Sequence, residues 1–265
     1  MKYEEYAQRV RRMNPIDDDF LKKMAEDVEF CQEVIQTILG DSRLIIVELK
    51  SQDYIKNMQG RSVILDAHCV SGDGVHFNVE VQKSDDDNHE KRVRYNGACI
   101  TANITDTGSK FENVPSVCII YITKNDFFRR GKVIYHVDRV LRETGDILNN
   151  GFSEVYVNAD IKDGSLISEL MTIFTEDDKY DDAKFPATSR RKRYFKEDEK
   201  GVGEMCAIME EVREAGREEG REEGREEGQL MAYVKMVNAG KLTMDEAAIE
   251  MNMTVEELEK ALAKF

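Results

Sequence analysis

The sequence has no run of about 20 apolar residues, the length that a helix needs to cross a bilayer. Its first residues, MKYEEYAQRVRRM, also lack the apolar stretch of a signal peptide. We therefore expect a protein that has no membrane span and is not exported.

Paired cysteine motifs are missing as well. The five cysteines stand singly inside apolar runs, and none has the CxxC spacing of a zinc site. We interpret them as reduced core thiols of a cytoplasmic protein. They are Cys31, Cys69, Cys99, Cys118 and Cys206.

The sequence has fewer basic than acidic residues, and its formal net charge is −15. Non-specific DNA binding depends on cationic side chains that release counterions, so this charge argues against a protein that passively coats DNA. It does not argue against a nuclease, because an acidic nuclease site accepts phosphate once metal ions neutralise it.

One segment, residues 184–196 (KFPATSRRKRYFK), carries six basic residues and no acidic one. It predicts a contact with a nucleic-acid backbone; the alternative is a solvated basic loop or an intramolecular partner for the acidic tail. The candidate DNA-binding residues in it are Arg190, Arg191, Lys192 and Arg193.

Helical and strand-like patterns alternate along the first part of the chain. Near-helical spacing of apolar residues runs from Asp17 to Leu39 and predicts one or two helices, with Gly40 as a stop signal. Interleaved elements indicate an α/β or α+β class with a mixed sheet. Further helices are predicted at 85–104 and 164–177, and strands at 43–49, 61–70, 75–83, 114–123, 132–140 and 154–158.

We expect three parts: a core over 1–177, a charged linker with a basic patch over 178–200, and a helical tail over 201–265. In the tail, GREEGREEGREEG (216–228) repeats every four residues and forms a drifting glycine stripe on a helix. This stripe predicts either a close-packed homo-oligomer contact through the 201–228 helix or a solvated spacer.

Two pairs in the repeat, Glu218 with Arg221 and Glu222 with Arg225, have the three-residue spacing of helical ion pairs. After it, Thr243 with Glu246 and Thr254 with Glu257 have capping-box spacing and predict two short helices. We favour a structural or interaction hairpin over a DNA-reading helix-turn-helix, because the residues that would enter a groove are apolar or acidic.

The stretch DAHCVSGDGVHFNVEVQ (66–82) predicts a β-hairpin. With Gly72, Asp73 and Gly74 as a three-residue loop, Asp66 falls opposite Glu80. The same register pairs Leu65 with Val81, Ala67 with Val79 and Cys69 with Phe77, so that one face is wholly apolar. The other face carries Asp66, His68, Asn78, Glu80 and Gln82.

Two carboxylates that face each other across a hairpin repel unless a cation lies between them. Oxygen ligands without a cysteine or an organised histidine cluster suit Mg²⁺ or Mn²⁺ better than zinc. The alternative is a solvent-exposed acidic face, which the apolar run before Asp66 disfavours.

These residues resemble a known family. GRSVILDAHCVSGDGVHFNVEVQ, followed by RVRYNG and FENVPSVCIIYIT, resembles the PD-(D/E)XK nuclease superfamily in its recombination-promoting nuclease/putative transposase branch, where the Gly-Arg-Glu-Glu repeat is also common. The resemblance implies a restriction-endonuclease-like α/β fold, with a mixed central sheet flanked by helices and, in this chain, a helical C-terminal extension.

The resemblance also implies residue roles. Asp66, Glu80 and the backbone carbonyl of Val81 would be metal ligands, and Gln82 would occupy the position of the usual lysine and orient water. Glu33 is the candidate acidic residue of the first helix. The candidate DNA-binding residues after the hairpin are Arg92, Arg94, Tyr95 and Asn96.

The function implied is a Mg²⁺- or Mn²⁺-dependent endonuclease that hydrolyses DNA phosphodiester bonds in recombination or mobile DNA. The alternative is a non-catalytic nucleic-acid-binding or assembly module that keeps the nuclease fold. Retention of both Asp66 and Glu80 favours the enzyme, because their repulsion costs stability without a metal.

Overall fold

The computed structural model describes residues 2–55, 62–83 and 88–262 of the 265-residue chain. The chain forms two compact units, residues 1–206 and residues 207–265. The first unit contains a six-stranded sheet with helices packed on it. The second contains the later part of a long helix and two short helices.

Local sequence signals explain several helix bounds. Asp27 caps α3 by accepting hydrogen bonds from the backbone N–H groups of Glu29 and Phe30, and Gly40 ends it at φ 67° as predicted. The helices of the first unit are α1 (Lys2–Val10), α2 (Asp18–Met24), α3 (Val28–Leu39), α4 (His89–Ile104), α5 (Leu166–Thr175) and α6 (Pro186–Glu197), with a 3₁₀ turn at Phe111–Asn113. α7 (Glu199–Asn238) extends into the second unit, where α8 (Met244–Glu250) and α9 (Val255–Leu262) follow.

The sheet mixes parallel and antiparallel strands, as predicted. Its order is β1-β2-β3-β4-β6-β5, and the pairs β3–β4 and β4–β6 are parallel while the others are antiparallel. The strands are β1 (Ile46–Ile55), β2 (Val63–Ser71), β3 (His76–Gln82), β4 (Val117–Thr123), β5 (Ile134–Val137) and β6 (Phe152–Asn158). A mixed sheet flanked by helices confirms the α/β, restriction-endonuclease-like fold class.

Helices cover both faces of the sheet. On one face, Val93 and Ile100 of α4 pack with Ile119 and Tyr121 of β4. On the other face, Cys31 of α3 contacts Cys69 of β2. All seven residues of β4 are buried, which agrees with the prediction of a strand covered on both sides.

The segment predicted as a charged linker, 178–200, instead contains helix α6. Lys192 and Phe195 are fully buried in the first unit, and α6 contacts α2 and α3. The prediction of an irregular linker was wrong because the buried positions of α6 include basic residues, so its amphipathic pattern is not visible from residue types. Lysine can occupy a buried position because its long side chain is largely apolar. The chain divides after Cys206 rather than after residue 177.

The helical tail matches its local sequence signals. The ion pairs Arg221–Glu218 and Arg225–Glu222 are present at 3.6 and 3.8 Å. Both capping boxes form, with the side chains of Glu246 and Glu257 accepting from the backbone N–H groups of Thr243 and Thr254. Although α7 is 40 residues long, neither it nor any other helix within the described residues has an apolar stretch that could cross a membrane.

Gly97 of α4 allows the helix to approach the sheet closely, and this contact yields a prediction. A Cβ atom on Gly97 would lie 2.2 Å from Cε2 of Phe152, so Gly97→Ala should lower the free energy of unfolding by about 1–3 kcal/mol through overpacking. Gly203 of α7 lies in the same unit with open space around its Cα. Gly203→Ala should therefore raise the free energy of unfolding by up to ~1 kcal/mol. Denaturant unfolding measures both, and an unchanged or raised free energy of unfolding in Gly97→Ala would contradict the packing at Gly97.

Candidate active site

Asp66 and Glu80 lie at the end of the β2–β3 hairpin that is remote from its turn. The turn has the predicted three-residue form: the N–H of Gly74 donates to the carbonyl of Ser71, and Gly74 has φ 82°. Pairing runs from Val70–His76 to Ala67–Val79. It confirms the predicted pairs Ala67–Val79 and Cys69–Phe77, and Asp66 and Glu80 are the next residue on each strand.

The alternation of faces breaks at Asp66. Leu65 packs with Tyr121 on the α4 face, where Glu80 also lies because it is in register with Tyr121. The predicted wholly apolar face, with Leu65 opposite Val81, is therefore wrong. In β1, Gln52 lies between the residues that pair with Ala67 and Leu65 and has φ 51°, which interrupts the alternation.

Asp66 is directed toward α2, the helix that carries Asp18 and Lys22. Its side chain is buried, with 6% exposure. Burial and the negative charges of Asp18 and Glu80 raise its pKa to about 8, against the effects of Lys22 and of a hydrogen bond from the backbone N–H of Val81. Asp66 therefore holds a proton near neutral pH unless a cation replaces it.

Glu80 is held from the α4 side and is 1% exposed. Its Oε1 accepts hydrogen bonds from Nδ2 of Asn78 at 2.8 Å and from Nδ2 of Asn96 at 2.5 Å. Its Oε2 has no hydrogen-bond partner among the described residues, and Nε of Arg92 lies 3.7 Å away. Burial raises the pKa of Glu80, against these favourable contacts.

Gln82 lies at the end of β3, two residues beyond Glu80. Its Oε1 accepts a hydrogen bond from Nη1 of Arg92 at 3.4 Å, and its backbone carbonyl accepts one from the N–H of Lys124. Val81 lies between Glu80 and Gln82 in the sequence, and its backbone N–H donates to the carboxylate of Asp66. A metal contact through the carbonyl of Val81 stays a prediction.

Glu33 does not lie with Asp66 and Glu80. Its two carboxylate oxygens accept hydrogen bonds from the backbone N–H groups of Ala187 and Thr188 at 3.0 and 2.8 Å, so Glu33 caps the first turn of α6. The acidic residue whose charge acts on both site carboxylates is Asp18. The sequence did not identify Asp18 as a site residue, because residues 17–39 could form one helix or two and the helix that approaches the site was not known. The available signal was the spacing of Asp18 and Lys22, which form an i, i+4 ion pair.

The predicted DNA-binding residues of α4 separate into three environments. Asn96 is buried against Glu80, whereas Arg92 reaches the site from a partly exposed position. Tyr95 packs against the core. Arg94 is exposed and lines a groove of about 380 Å³ together with Glu90, Lys91, Val137, Asp138, Arg139 and Glu154.

The basic residues of α6 are largely engaged within the protein. Arg190 pairs with Asp27 and Glu29, and Arg193 pairs with both oxygens of Asp182. The guanidinium of Arg191 lies 4.6 Å from the ring centre of Phe195 and donates to the carbonyl of Lys23.

Lys192 is fully buried, so the prediction that it binds DNA is wrong. Its Nζ donates to the carbonyls of Ile173, Glu176 and Lys179, the first of which lies in α5. Burial and the charge of Lys196 lower its pKa to about 7. The long side chain thus satisfies carbonyls around the end of α5 instead of facing solvent.

The residues at the hairpin end fit a divalent cation. Mg²⁺ takes one or two carboxylates and keeps several waters. Here two buried carboxyl groups have raised pKa values, and an oxygen of Glu80 is buried without a hydrogen bond. Within the described ranges, no group of three or more His, Cys, Asp or Glu is already arranged around a metal position. The remaining ligands would therefore include water or backbone oxygen.

The raised pKa of Asp66 predicts how stability depends on pH without metal. The folded protein keeps a proton that the unfolded chain releases near pH 4, so the free energy of unfolding should fall as pH rises from about 4 to about 8. Asp66→Asn removes this titration and should melt at a higher temperature than the parent at pH 8 in EDTA, with little difference near pH 4. Thermal melts across this range test it, and equal slopes for parent and variant would contradict a buried, protonated Asp66.

Comparison with known proteins identifies a family for this chain. Neither a curated protein nor a solved structure matches the chain. A family model described as PD-(D/E)XK nuclease family transposase matches residues 23–163, more than half of the chain, and this span contains Asp66, Glu80 and Gln82. The chain belongs to the PD-(D/E)XK nuclease family transposases.

Proposed function

We propose that this protein is a metal-dependent DNA endonuclease that hydrolyses phosphodiester bonds in recombination or in the movement of mobile DNA. The observation that carries the proposal is the buried pair of Asp66 and Glu80, whose raised pKa values reflect a demand for positive charge. Membership of a nuclease family of transposases supports the reaction class.

Asp66 and Glu80 would hold the ion, which we propose to be Mg²⁺ or Mn²⁺, with the carbonyl of Val81 as a further oxygen ligand. Asp18, rather than Glu33, is the acidic residue of the N-terminal helices that we assign to the site, because its charge acts on both carboxylates. The bound ion would supply a water of lowered pKa and would neutralise charge on the phosphate.

Asn78 and Asn96 act on Glu80 as positioning residues. Both donate to the same oxygen, Oε1, and so fix the carboxylate while Oε2 stays without a hydrogen bond. Groups that orient a metal ligand in this way typically contribute about 10–100-fold to metal affinity or activity.

Gln82 has no charge and cannot act as a general base at neutral pH. Its amide can orient the attacking water through Nε2 while Oε1 accepts from Arg92. The positive charge that a lysine would bring at this position comes from two other side chains, Arg92 on α4 and Lys22 on α2. We propose that these two cations contact the scissile phosphate.

The wider assignments follow from the same proposal. Arg94 is exposed on α4 and can contact the DNA backbone beyond the site.

The glycines of the repeat in α7 have open space around their Cα atoms, which leaves room for a second helix in a homo-oligomer. All five cysteines are free and buried, which is consistent with a cytoplasmic protein.

A plasmid-nicking assay tests the proposal. The parent protein should nick supercoiled DNA with Mg²⁺ or Mn²⁺ and not in EDTA. Asp66→Asn and Glu80→Gln should each lower the rate at least about 100-fold, because each removes a charge that the ion requires. Glu48→Gln is the matched control, since Glu48 is an exposed acidic residue of β1 that pairs with Val70, toward the hairpin turn.

The outcomes distinguish the endonuclease from the alternative hypothesis of a non-catalytic assembly module. Equal nicking by all four proteins would mean that a contaminant or another site cuts the DNA. No nicking by the parent, together with no rise in melting temperature in millimolar Mn²⁺, would favour the non-catalytic assembly module, because a ligand of the native state raises stability.

A further inference from the structure

The loop between β4 and β5, residues 124–133, begins beside the candidate active site. Thr123, the last residue of β4, is in register with Gln82, the last residue of β3. The first residue of the loop, Lys124, donates its backbone N–H to the carbonyl of Gln82 at 3.1 Å. The loop therefore leaves the sheet at the same edge as Glu80 and Gln82.

The loop carries a concentration of positive charge. Its sequence, KNDFFRRGKV, has four cations and one acidic residue, in a chain whose net charge is −15. No ion pair joins any of these four cations to an acidic side chain in the part of the chain that the structure describes, in contrast to Arg190 and Arg193 of α6. The cations are Lys124, Arg129, Arg130 and Lys132, and the last three are exposed.

The single acidic residue of the loop, Asp126, is used to fix the backbone. Its carboxylate accepts hydrogen bonds from the N–H groups of Arg129 and Gly131 and from the hydroxyl of Tyr135, at 3.0, 2.6 and 2.8 Å. The hydroxyl oxygen of Tyr135 in turn accepts from the N–H groups of Arg130 and Lys132. Asp126 thus orders the loop instead of pairing with its cationic side chains.

Aromatic packing fixes the base of the loop. Phe127 contacts His89 at the start of α4, with ring centres 4.7 Å apart, and Phe128 packs against Tyr135 and Tyr156 at 5.0 and 5.1 Å. Both phenylalanines are half-buried, whereas Arg129 and Arg130, which follow them, are exposed. The loop is therefore anchored on the sheet and on α4.

Arg129 has φ 55°, a conformation that non-glycine residues adopt only when their surroundings impose it. The hydrogen bond from its N–H to Asp126 holds it there. The backbone held by Asp126 thus presents an exposed guanidinium, which no ion pair joins to an acidic side chain among the described residues.

We propose that the loop 124–133 binds the phosphodiester backbone of the nucleic-acid substrate and presents it to the site at Glu80. This inference rests on the proposed nuclease function and assigns the surface that holds its substrate. Unpaired cations release counterions when they contact phosphates, whereas cations already paired with carboxylates gain little. The loop that follows β6 at the same edge carries Asp160 and Asp163 beside Lys162, so the β4–β5 loop is the more cationic of these two loops.

A DNA-binding measurement in EDTA, where cleavage does not interfere, tests the proposal. Fluorescence anisotropy with a labelled duplex of 30 base pairs gives Kd as a function of salt concentration. Replacing Arg129, Arg130 and Lys132 together by alanine should raise Kd about tenfold or more and should lower the slope of log Kd against log salt by about 3, since each phosphate contact contributes about 0.9.

A charge-matched control removes three arginines elsewhere. Replacing Arg9, Arg11 and Arg12 by alanine changes the net charge by the same amount, and all three are exposed. This variant should keep the salt slope of the parent. Equal weakening by the two triple variants would overturn the proposal, because general charge would then explain the binding. Circular dichroism confirms that each variant is folded.

Asp126→Ala separates an ordered loop from simple charge. The variant is less negative, so charge alone predicts tighter DNA binding, whereas loss of the ordered backbone predicts weaker binding. Weaker binding with an unchanged melting temperature supports the proposal. Tighter binding would overturn the assigned role of the loop geometry.

The nicking assay keeps this inference distinct from the proposed function. A parent that nicks DNA, and a loop variant that binds DNA as the parent does, would leave the nuclease intact and refute the loop. A parent that never nicks DNA, and a loop variant that loses binding, would refute the endonuclease and leave the loop as a nucleic-acid contact.

Discussion

The burial of two neighbouring carboxyl groups, Asp66 and Glu80, is the electrostatic constraint on which the site depends. Each loses solvation, and the charge of Glu80 further raises the cost of charging Asp66, so positive charge must come from nearby elements or from an ion. Helices on both faces of the sheet supply cationic or hydrogen-bonding side chains to the two carboxyl groups. α2 brings Lys22 to Asp66, and α4 brings Arg92 and the amide of Asn96 to Glu80.

The placement of acidic residues elsewhere decides which cations remain available. In α6, Asp27, Glu29 and Asp182 neutralise Arg190 and Arg193, so a basic stretch of sequence becomes a structural helix. In the β4–β5 loop, the one carboxylate binds backbone N–H groups, and no ion pair among the described residues engages the loop's cations. A count of basic residues in a segment is therefore a poor guide to a nucleic-acid surface, because what matters is whether the structure has already paired them.

Local sequence rules predicted the features that depend on local contacts. The three-residue turn, the pairs Ala67–Val79 and Cys69–Phe77, the capping boxes and the ion pairs of the repeat all follow from short spacings. The features that were missed depend on tertiary packing. The face reversal at Asp66 needs an irregularity at Gln52 on another strand, and the assignment of Glu33 fails because its carboxylate caps a helix more than 150 residues away.

Gln82 gives the site a property that a lysine at the same position would remove. A lysine would place a permanent positive charge two residues from Glu80 and would lower the pKa of that carboxyl. With a neutral amide there, the metal-free site relieves its repulsion by keeping a proton on Asp66, whose pKa is about 8. A metal ion would have to displace that proton to bind at Asp66, so its affinity would be coupled to pH. The glutamine therefore does not by itself argue against catalysis; it makes the occupied state of the site more dependent on pH and on metal concentration.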